Sequence, residues 1–177
     1  MSLPIAPGTY GIDTAHSQLS FAVTHLGIST VVGTFDRFSG ALFVGSGLAD
    51  TVISIEAEMA SINTGHTMRD EHVRAEGFLD TDNHPQMLFR STAIAEAGSG
   101  YSLKGDLSIK GTTVPVTLDA SYNGAAIFPV DGSTHHGFLA TGSISRDAFG
   151  VGTGVDILSD DITLTLNVQF VQPADEG

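Results

Sequence analysis

The 177-residue chain contains no cysteine and no tryptophan, and it has few basic residues. Without cysteine, neither a disulfide bond nor a thiolate metal site can form. Seven Lys and Arg side chains stand against 20 Asp and Glu, which gives a formal net charge of -13. A surface with this charge repels a phosphate backbone and offers no basic patch to an anionic membrane, so no nucleic-acid partner is expected.

Long apolar segments are also absent. No window approaches the 18 or more apolar residues of a membrane span, so the sequence predicts no stable membrane insertion. The first ten residues, MSLPIAPGTY, lack the basic and apolar regions of a secretion signal. We therefore expect a cytoplasmic protein, or a periplasmic or secreted one if a leader has been removed. The length predicts one domain over residues 1–177, with frayed ends at 1–8 and 173–177.

What the sequence does contain is apolar and polar residues in strict alternation, which is typical of strands with one buried face. The clearest case runs from Ile162 to Phe170. The pattern predicts eight or nine strands, near residues 9–13, 19–25, 30–44, 53–59, 87–95, 101–109, 114–120, 138–146 and 162–170. Closure into an antiparallel barrel would remove the exposed sheet edges. The predicted fold is therefore all-β, with an antiparallel barrel of about eight strands.

Two segments depart from this alternation. Residues 64–80 predict one short helix, with Thr67 as its N-cap, Asp70 and Glu71 in the first turn and Gly77 near its end. Residues 148–160 are rich in glycine and predict a long loop at the mouth of the barrel.

The interior of a barrel of this size is either filled by side chains or holds one small ligand. Its predicted inner face mixes large and small residues: Phe21, Phe138 and Phe170 with Ala57, Gly105, Ala140 and Gly142. Small residues on an inner face leave room for a ligand, but glycines also mark bends and bulges. The alternation therefore leaves both a lined cavity and a filled core open.

Short motifs follow one another in order along most of the chain, over residues 10–170. They are Tyr10-x-Ile12-Asp13-x-x-His16-Ser17-x-Leu19-x-Phe21-x-Val23-x-His25, Gly33-x-Phe35-x-x-Phe38-x-Gly40, Ser61-Ile62-x-Thr64-Gly65, Arg69-Asp70-x-His72, Phe78-Leu79-Asp80, His84-Pro85-x-x-x-Phe89, Gly105-Asp106-Leu107-Ser108-Ile109-x-Gly111-Thr112-Thr113, Gly137-Phe138-x-Ala140 and Arg146-x-x-Phe149-Gly150. Through these motifs the sequence resembles the YceI-like family of lipocalin-like, polyisoprenoid-binding proteins.

The resemblance implies an extended lipocalin-like barrel of about eight strands with a short helix against it. It implies a binding protein and not an enzyme, which carries or stores a long-chain apolar ligand such as a polyisoprenoid, a quinone, or a fatty acyl chain or amide. No cofactor is expected beyond this lipid. A homodimer and a role in transport or stress response are implied as well. Many relatives carry a signal peptide, which is not seen here.

Thirteen residues are expected to line the cavity: Phe21, Val23, His25, Phe35, Ile55, Met59, Phe89, Leu107, Phe138, Ala140, Gly142, Ile144 and Leu166. Arg69, His72 and Arg146 are the expected donors to a polar head group. The alternative for these residues is structural: Arg69 and Asp70 would pin the helix to the barrel, and Arg146 would pair with Asp147 or Asp156.

Two other functions remain as alternatives. An enzyme or a metal-dependent protein could use the Arg69, Asp70 and His72 cluster, and His66 could join Asp70 and His72 as metal ligands. No metal site is predicted, because these residues lack ligand spacing on a regular element and His135 and His136 are expected on a loop. No G-x-S-x-G nucleophile motif occurs in the chain. The third function is a filled-core interaction protein without a ligand.

Overall fold

The computed structural model describes residues 2–172. These residues form eleven β-segments and one α-helix. The segments are β1 (Gly8–Ile12), β2 (Gln18–His25), β3 (Ser29–Phe35), β4 (Phe38–Val44), β5 (Val52–Glu58), β6 (Ile62–Asn63), β7 (Gln86–Ala97), β8 (Gly100–Ile109), β9 (Thr112–Ile127), β10 (Thr134–Ser145) and β11 (Leu158–Val171), with helix α1 at Thr67–Arg74. No helix within residues 2–172 is both long enough and apolar enough to cross a membrane.

The eleven segments make eight strands of a closed antiparallel barrel. β1 and β2 are two parts of one long strand, which a 3-10 turn at Thr14–His16 interrupts, and both parts pair with β11. β3 and β4 form the next strand in the same way, because β3 pairs with β2 and β4 pairs with β1. β5 and β6 form the third interrupted strand. The β1–β11 pairing closes the ring, so the predicted all-β barrel of about eight strands is confirmed.

The two ends of the barrel differ in packing. Towards the end that holds β1, the inward side chains close on one another, and the rings of Phe138 and Phe170 meet edge to face at 5.9 Å between centroids. Leu3 and Ile5 are buried in this packed end, and the Tyr10 hydroxyl donates to the Ala6 carbonyl at 2.8 Å. Residues 1–8 are predicted to be frayed, yet within residues 2–8 the side chains of Leu3 and Ile5 are buried and Gly8 begins β1. Residues 173–177 lie outside the described residues.

Helix α1 lies where the sequence predicts a helix, but its ends differ. His66, not Thr67, is the N-cap, since its ring nitrogen accepts a hydrogen bond from the Arg69 amide at 3.3 Å. The helix ends at Arg74, before Gly77, and the Ala75 amide closes it on the His72 carbonyl. A histidine cap was missed because Ser, Thr, Asp and Asn dominate statistical preferences at this position.

Two other expectations are corrected. His135 and His136 lie on β10 and not on a loop, because β10 stays paired with β11 to their level, opposite Val171 and Phe170. The predicted long loop at 148–160 is shorter, since a 3-10 turn covers Asp147–Phe149 and β11 begins at Leu158.

Candidate ligand-binding cavity

A cavity of about 370 Å³ lies at the end of the barrel that faces helix α1. Its walls are the inner faces of β2, β3 and β11 together with α1 and residues 150–157, and we call these last two segments the cover. Its lining is almost wholly apolar. The lining residues are Phe21, Val23, His25, Val31, Phe35, Met59, Ile62, Thr64, Arg69, His72, Val73, Phe78, Leu79, Met87, Ile109, Ile144, Arg146, Phe149, Val151, Val155, Ile157, Leu158, Ile162 and Leu164.

A glycine shapes the barrel side of this cavity. Gly33 lies opposite Phe21 on β3, and a Cβ atom there would come within 2.4 Å of the Phe21 ring. The missing side chain lets the Phe21 ring lie against the β3 backbone, and Phe21 then packs on Phe35 at 5.6 Å between centroids. The two rings form one wall of the cavity.

Asp70 anchors the helical part of the cover. Its buried carboxylate accepts hydrogen bonds from the Thr64 amide at 2.9 Å and from the Thr64 hydroxyl at 2.5 Å. The exposed guanidinium of Arg69 donates to the hydroxyl and the carbonyl of the same threonine. These contacts fix the start of α1 on the segment after β6, so that Val73 faces the cavity.

Arg146 anchors the other part of the cover. The side chain is buried, and its three nitrogen atoms donate to the backbone carbonyls of Val151, Gly152, Val155, Leu158 and Ser159. An Asp147 oxygen lies 3.4 Å from the same guanidinium, a longer contact. Arg146 therefore acts as a scaffold for residues 150–157, and its donors are engaged there and not aimed at a head group.

Residues 150–157 are joined to the segment that directly follows α1. The Lys110 ammonium donates to the carbonyls of Glu76 and Gly150 at 3.0 and 3.1 Å. Gly152 has a φ of +60°, and its amide donates to the Gly77 carbonyl at 3.2 Å. A Cβ atom at Gly152 would come within 2.7 Å of the Phe78 ring, so only glycine permits this approach.

The mouth of the cavity combines polar tips and exposed apolar side chains. His72 and Arg69 are exposed and also line the cavity, and the His72 ring packs on Phe78 at 4.9 Å between centroids. Ile157 is half exposed at the same opening, and its carbonyl accepts from the Leu26 amide in the β2–β3 turn. The mouth is therefore mainly apolar, with two imidazoles, His25 and His72, among its polar groups.

The structure divides the predicted cavity residues into three groups. Phe21, Val23, His25, Phe35, Met59 and Ile144 line the 370 Å³ cavity, as do the expected head-group residues Arg69, His72 and Arg146. Ile55, Phe89, Leu107 and Leu166, and again Phe35, line a second cavity of about 40 Å³ deeper in the barrel. Phe138, Ala140 and Gly142 line neither of these two cavities.

For the last group, Phe138, Ala140 and Gly142, the structure corrects the prediction. Phe138 and Ala140 are buried in the packed end of the barrel, where Phe138 contacts Tyr122 and Phe170. Gly142 faces inward but is covered by Leu118, whose Cδ2 would lie 2.5 Å from a Cβ atom at Gly142. Alternation assigned the correct face to these residues. It could not show that this part of the interior is filled.

Several cavity residues were missed by the sequence analysis. Val31, Ile162 and Leu164 share the alternation of predicted cavity strands, so the same signal could have found them. Val151 and Val155 lie in the glycine-rich segment, where no periodicity assigns a face. To assign Val73 to the cavity, one must know which face of α1 points into the barrel, and the sequence of one short helix does not show this.

A polar cluster lies at the opposite, packed end of the barrel. The Asp13 carboxylate contacts His16 Nδ1 at 2.7 Å and His135 Nδ1 at 3.5 Å. Burial raises the pKa of Asp13, but hydrogen bonds from His16 and the Ala15 amide outweigh this and leave the pKa below its ordinary value. Burial, followed by the nearby His135, lowers the pKa of His136.

Neither this polar cluster nor the predicted cluster of Arg69, Asp70 and His72 has the geometry of a metal or catalytic centre. Within residues 2–172, no three His, Asp or Glu side chains are placed to hold a metal ion. Asp70 is committed to Thr64, and the ring of His72 lies on Phe78, so Arg69, Asp70 and His72 do not converge on one point where a substrate could react.

A family model described as the YceI-like domain matches residues 10–170. The chain belongs to the YceI-like family. Similar curated proteins include a UPF0312 protein of Serratia proteamaculans and Protein YceI of Escherichia coli. Each is 35% identical over 158 residues, which cover 89% of this chain and 82% of the relative.

Solved structures of similar proteins share the barrel. BcnA of Burkholderia cenocepacia is 27% identical with a TM-score of 0.80, over 89% of this chain and 98% of that one. The YCEI protein of Campylobacter jejuni is 29% identical with a TM-score of 0.76, over 85% and 90% of the two chains. A polyisoprenoid-binding domain from Saccharophagus degradans has a TM-score of 0.67 at 14% identity, over 93% and 98%, which shows the same fold alone.

Proposed function

We propose that this protein binds a long apolar chain in the 370 Å³ cavity and carries or stores it, without catalysing a reaction. The observation that carries the proposal is an apolar cavity of ligand size, roofed by a cover that is itself held by buried polar contacts. Membership of the YceI-like family supports a ligand-binding barrel. The polyisoprenoid-binding domain that shares this fold makes isoprenoids one candidate class.

The physical basis of this binding is the removal of apolar surface from water. Each methylene that leaves water contributes about 0.8 kcal/mol, so affinity rises roughly fourfold with every carbon that the cavity takes in. Such binding needs hardly any polar contact, and it selects for the size and shape of the chain.

The polar groups at the mouth indicate a neutral head group. Two arginines line the cavity. Arg146 donates its hydrogen bonds to backbone carbonyls, and Arg69 donates to Thr64. A phosphate or pyrophosphate would need a free, convergent set of donors. The two imidazoles, His25 and His72, suit a hydroxyl, an amide or a quinone oxygen instead.

Two adjacent valines on β3 give a matched test. Val31 is half-buried and lines the cavity, whereas Val32 points to the outer face and is 59% exposed. We expect Val31→Trp to fill the mouth of the cavity and to weaken binding of a fluorescent fatty-chain probe at least tenfold. Val32→Trp makes the same change on the opposite face and should bind the probe as the unmodified protein does.

The result that would contradict the proposal is equal probe binding by both variants and the unmodified protein. Absence of any probe binding by the folded, unmodified protein would favour the filled-core alternative.

A further inference from the structure

The two cavities of the barrel are separated by a layer of three side chains. Phe35 on β3, Met87 on β7 and Leu164 on β11 line both the 370 Å³ cavity and the 40 Å³ cavity beyond it. We call these three residues the partition. They come from three separate strands, so the layer spans the interior and is not a feature of one wall.

The deeper cavity is apolar and adjoins the first at the partition. It is lined mainly by carbon atoms, and Leu19, Leu107, Val116, Leu118 and Leu166 lie around it. Its volume exceeds the roughly 10–15 Å³ that one water needs, but an apolar void without polar partners stays dry. A dry void next to a ligand cavity is space that a hydrocarbon tail can occupy.

Met87 is the member of the partition that can move most easily. Methionine has an unbranched side chain with three rotatable bonds, so it changes shape at low cost. Met87 lies opposite Ala57 on β5, a small neighbour, and is itself only half-buried. Phe35, by contrast, is buried and packs on Phe21.

We propose that the partition sets the length of chain that the protein accepts, and that the 40 Å³ cavity is an extension site for the distal end of a longer chain, which opens when Met87 swings aside. The inference rests on the proposed function, since it concerns the same apolar ligand. It identifies Met87 as a residue that determines specificity for chain length.

The test is a series of straight-chain 1-alkanols, which vary only in the number of methylenes and keep one neutral head group. Their affinities are measured by displacement of a fluorescent fatty-chain probe. In the unmodified protein, affinity should rise roughly fourfold per carbon until the chain reaches the partition. It should then level off, because displacing Met87 offsets the gain from the next carbons.

Met87→Ala should move this plateau to longer chains by about two carbons, which raises affinity for the longest alkanols about fifteenfold. Met87→Val makes a smaller truncation and should shift the plateau in the same direction by less. It replaces Met87→Ala in the test if the alanine variant folds poorly. Leu88→Ala is the matched control, because Leu88 is the next residue on β7, on the outer face and 45% exposed, and it should leave the plateau unchanged.

An unchanged plateau in folded Met87→Ala and Met87→Val would overturn the partition while the proposed function stands. An equal shift in Leu88→Ala would also overturn it, since the effect would then not depend on the interior. Failure of the unmodified protein to bind any alkanol or the probe would overturn both proposals together.

Discussion

Arg146 shows how one buried side chain can determine the shape of a ligand cavity. Sequence patterns mark it as a cation near the mouth, which suggests a role in ligand recognition. In the structure, its guanidinium instead donates to three carbonyl groups of residues 150–157 and to two at the start of β11. The planar fork of arginine can reach several acceptors at once, which a lysine ammonium cannot do.

Arg146→Lys should therefore lower the free energy of unfolding by about 3 kcal/mol or more. The expected size follows from the roughly 1–3 kcal/mol that each buried polar group costs when it loses its partner. Urea unfolding measures this change, and Arg90→Lys on the outer face of β7 serves as the control, since Arg90 is exposed. A loss no larger than that of Arg90→Lys would show that Arg146 does not hold the cover.

His136 couples stability to pH. Burial, and then the neighbouring His135, lowers its pKa in the folded protein, whereas the unfolded chain protonates near the ordinary value of 6.5. The unfolded state therefore binds more protons as the pH falls through this region, and the free energy of unfolding decreases on acidification. The depressed pKa of Asp13 acts in the same direction at lower pH.

His136→Gln should make the free energy of unfolding less dependent on pH between about 7.5 and about 5.5, because the titrating group is removed. Urea unfolding at both pH values gives the difference. Leu88→Ala, which changes an exposed side chain that carries no titratable group, should keep the pH dependence of the unmodified protein. If the free energy of unfolding changes equally with pH in all three proteins, His136 is not the source of the pH dependence.

At the scale of elements, the strands were predictable and the filling of the barrel was not. Period-two alternation placed Ile162, Leu164 and Leu166 on one face of a strand, and the structure puts all three beside a cavity. The same alternation put Gly142 on the inner face, but the space there is taken by Leu118 from β9. Which strand fills the space in front of another depends on register and tilt, which no local pattern contains.

Gly142→Ala tests this packing directly. Its Cβ atom would lie 2.5 Å from Leu118 Cδ2 and 2.9 Å from the Thr117 carbonyl oxygen, so the barrel must shift to accept it. Overpacking of this kind typically costs about 1–3 kcal/mol. Thermal or urea unfolding should show that loss, while the affinity for the fatty-chain probe stays the same because Gly142 does not line the 370 Å³ cavity.

Gly137→Ala is the comparison on the same strand, since the nearest atom to its Cβ would be Asn123 Cβ at 3.6 Å, an ordinary contact. If Gly142→Ala weakened probe binding without destabilising the protein, Gly142 would belong to the cavity after all.

The molecule as a whole is packed at one end and hollow at the other. The N-terminal residues Leu3 and Ile5, together with Phe138 and Phe170, fill the packed end. Helix α1 and residues 150–157 roof the hollow end through Asp70 and Arg146. The motif order identified the family and the barrel from the sequence, but the boundary between the two ends depends on side chains from several strands. The expected homodimer and cytoplasmic location stay predictions.

The central claim is that the hollow end holds a long apolar chain, and native mass spectrometry tests it most directly. Protein purified without detergent, with and without added long-chain 1-alkanol, is compared with Val31→Trp. The account predicts a stoichiometric adduct on the unmodified protein that an organic solvent extracts as an apolar species, and a reduced adduct on the variant. An unmodified protein that carries no adduct and acquires none from the alkanol would contradict the account.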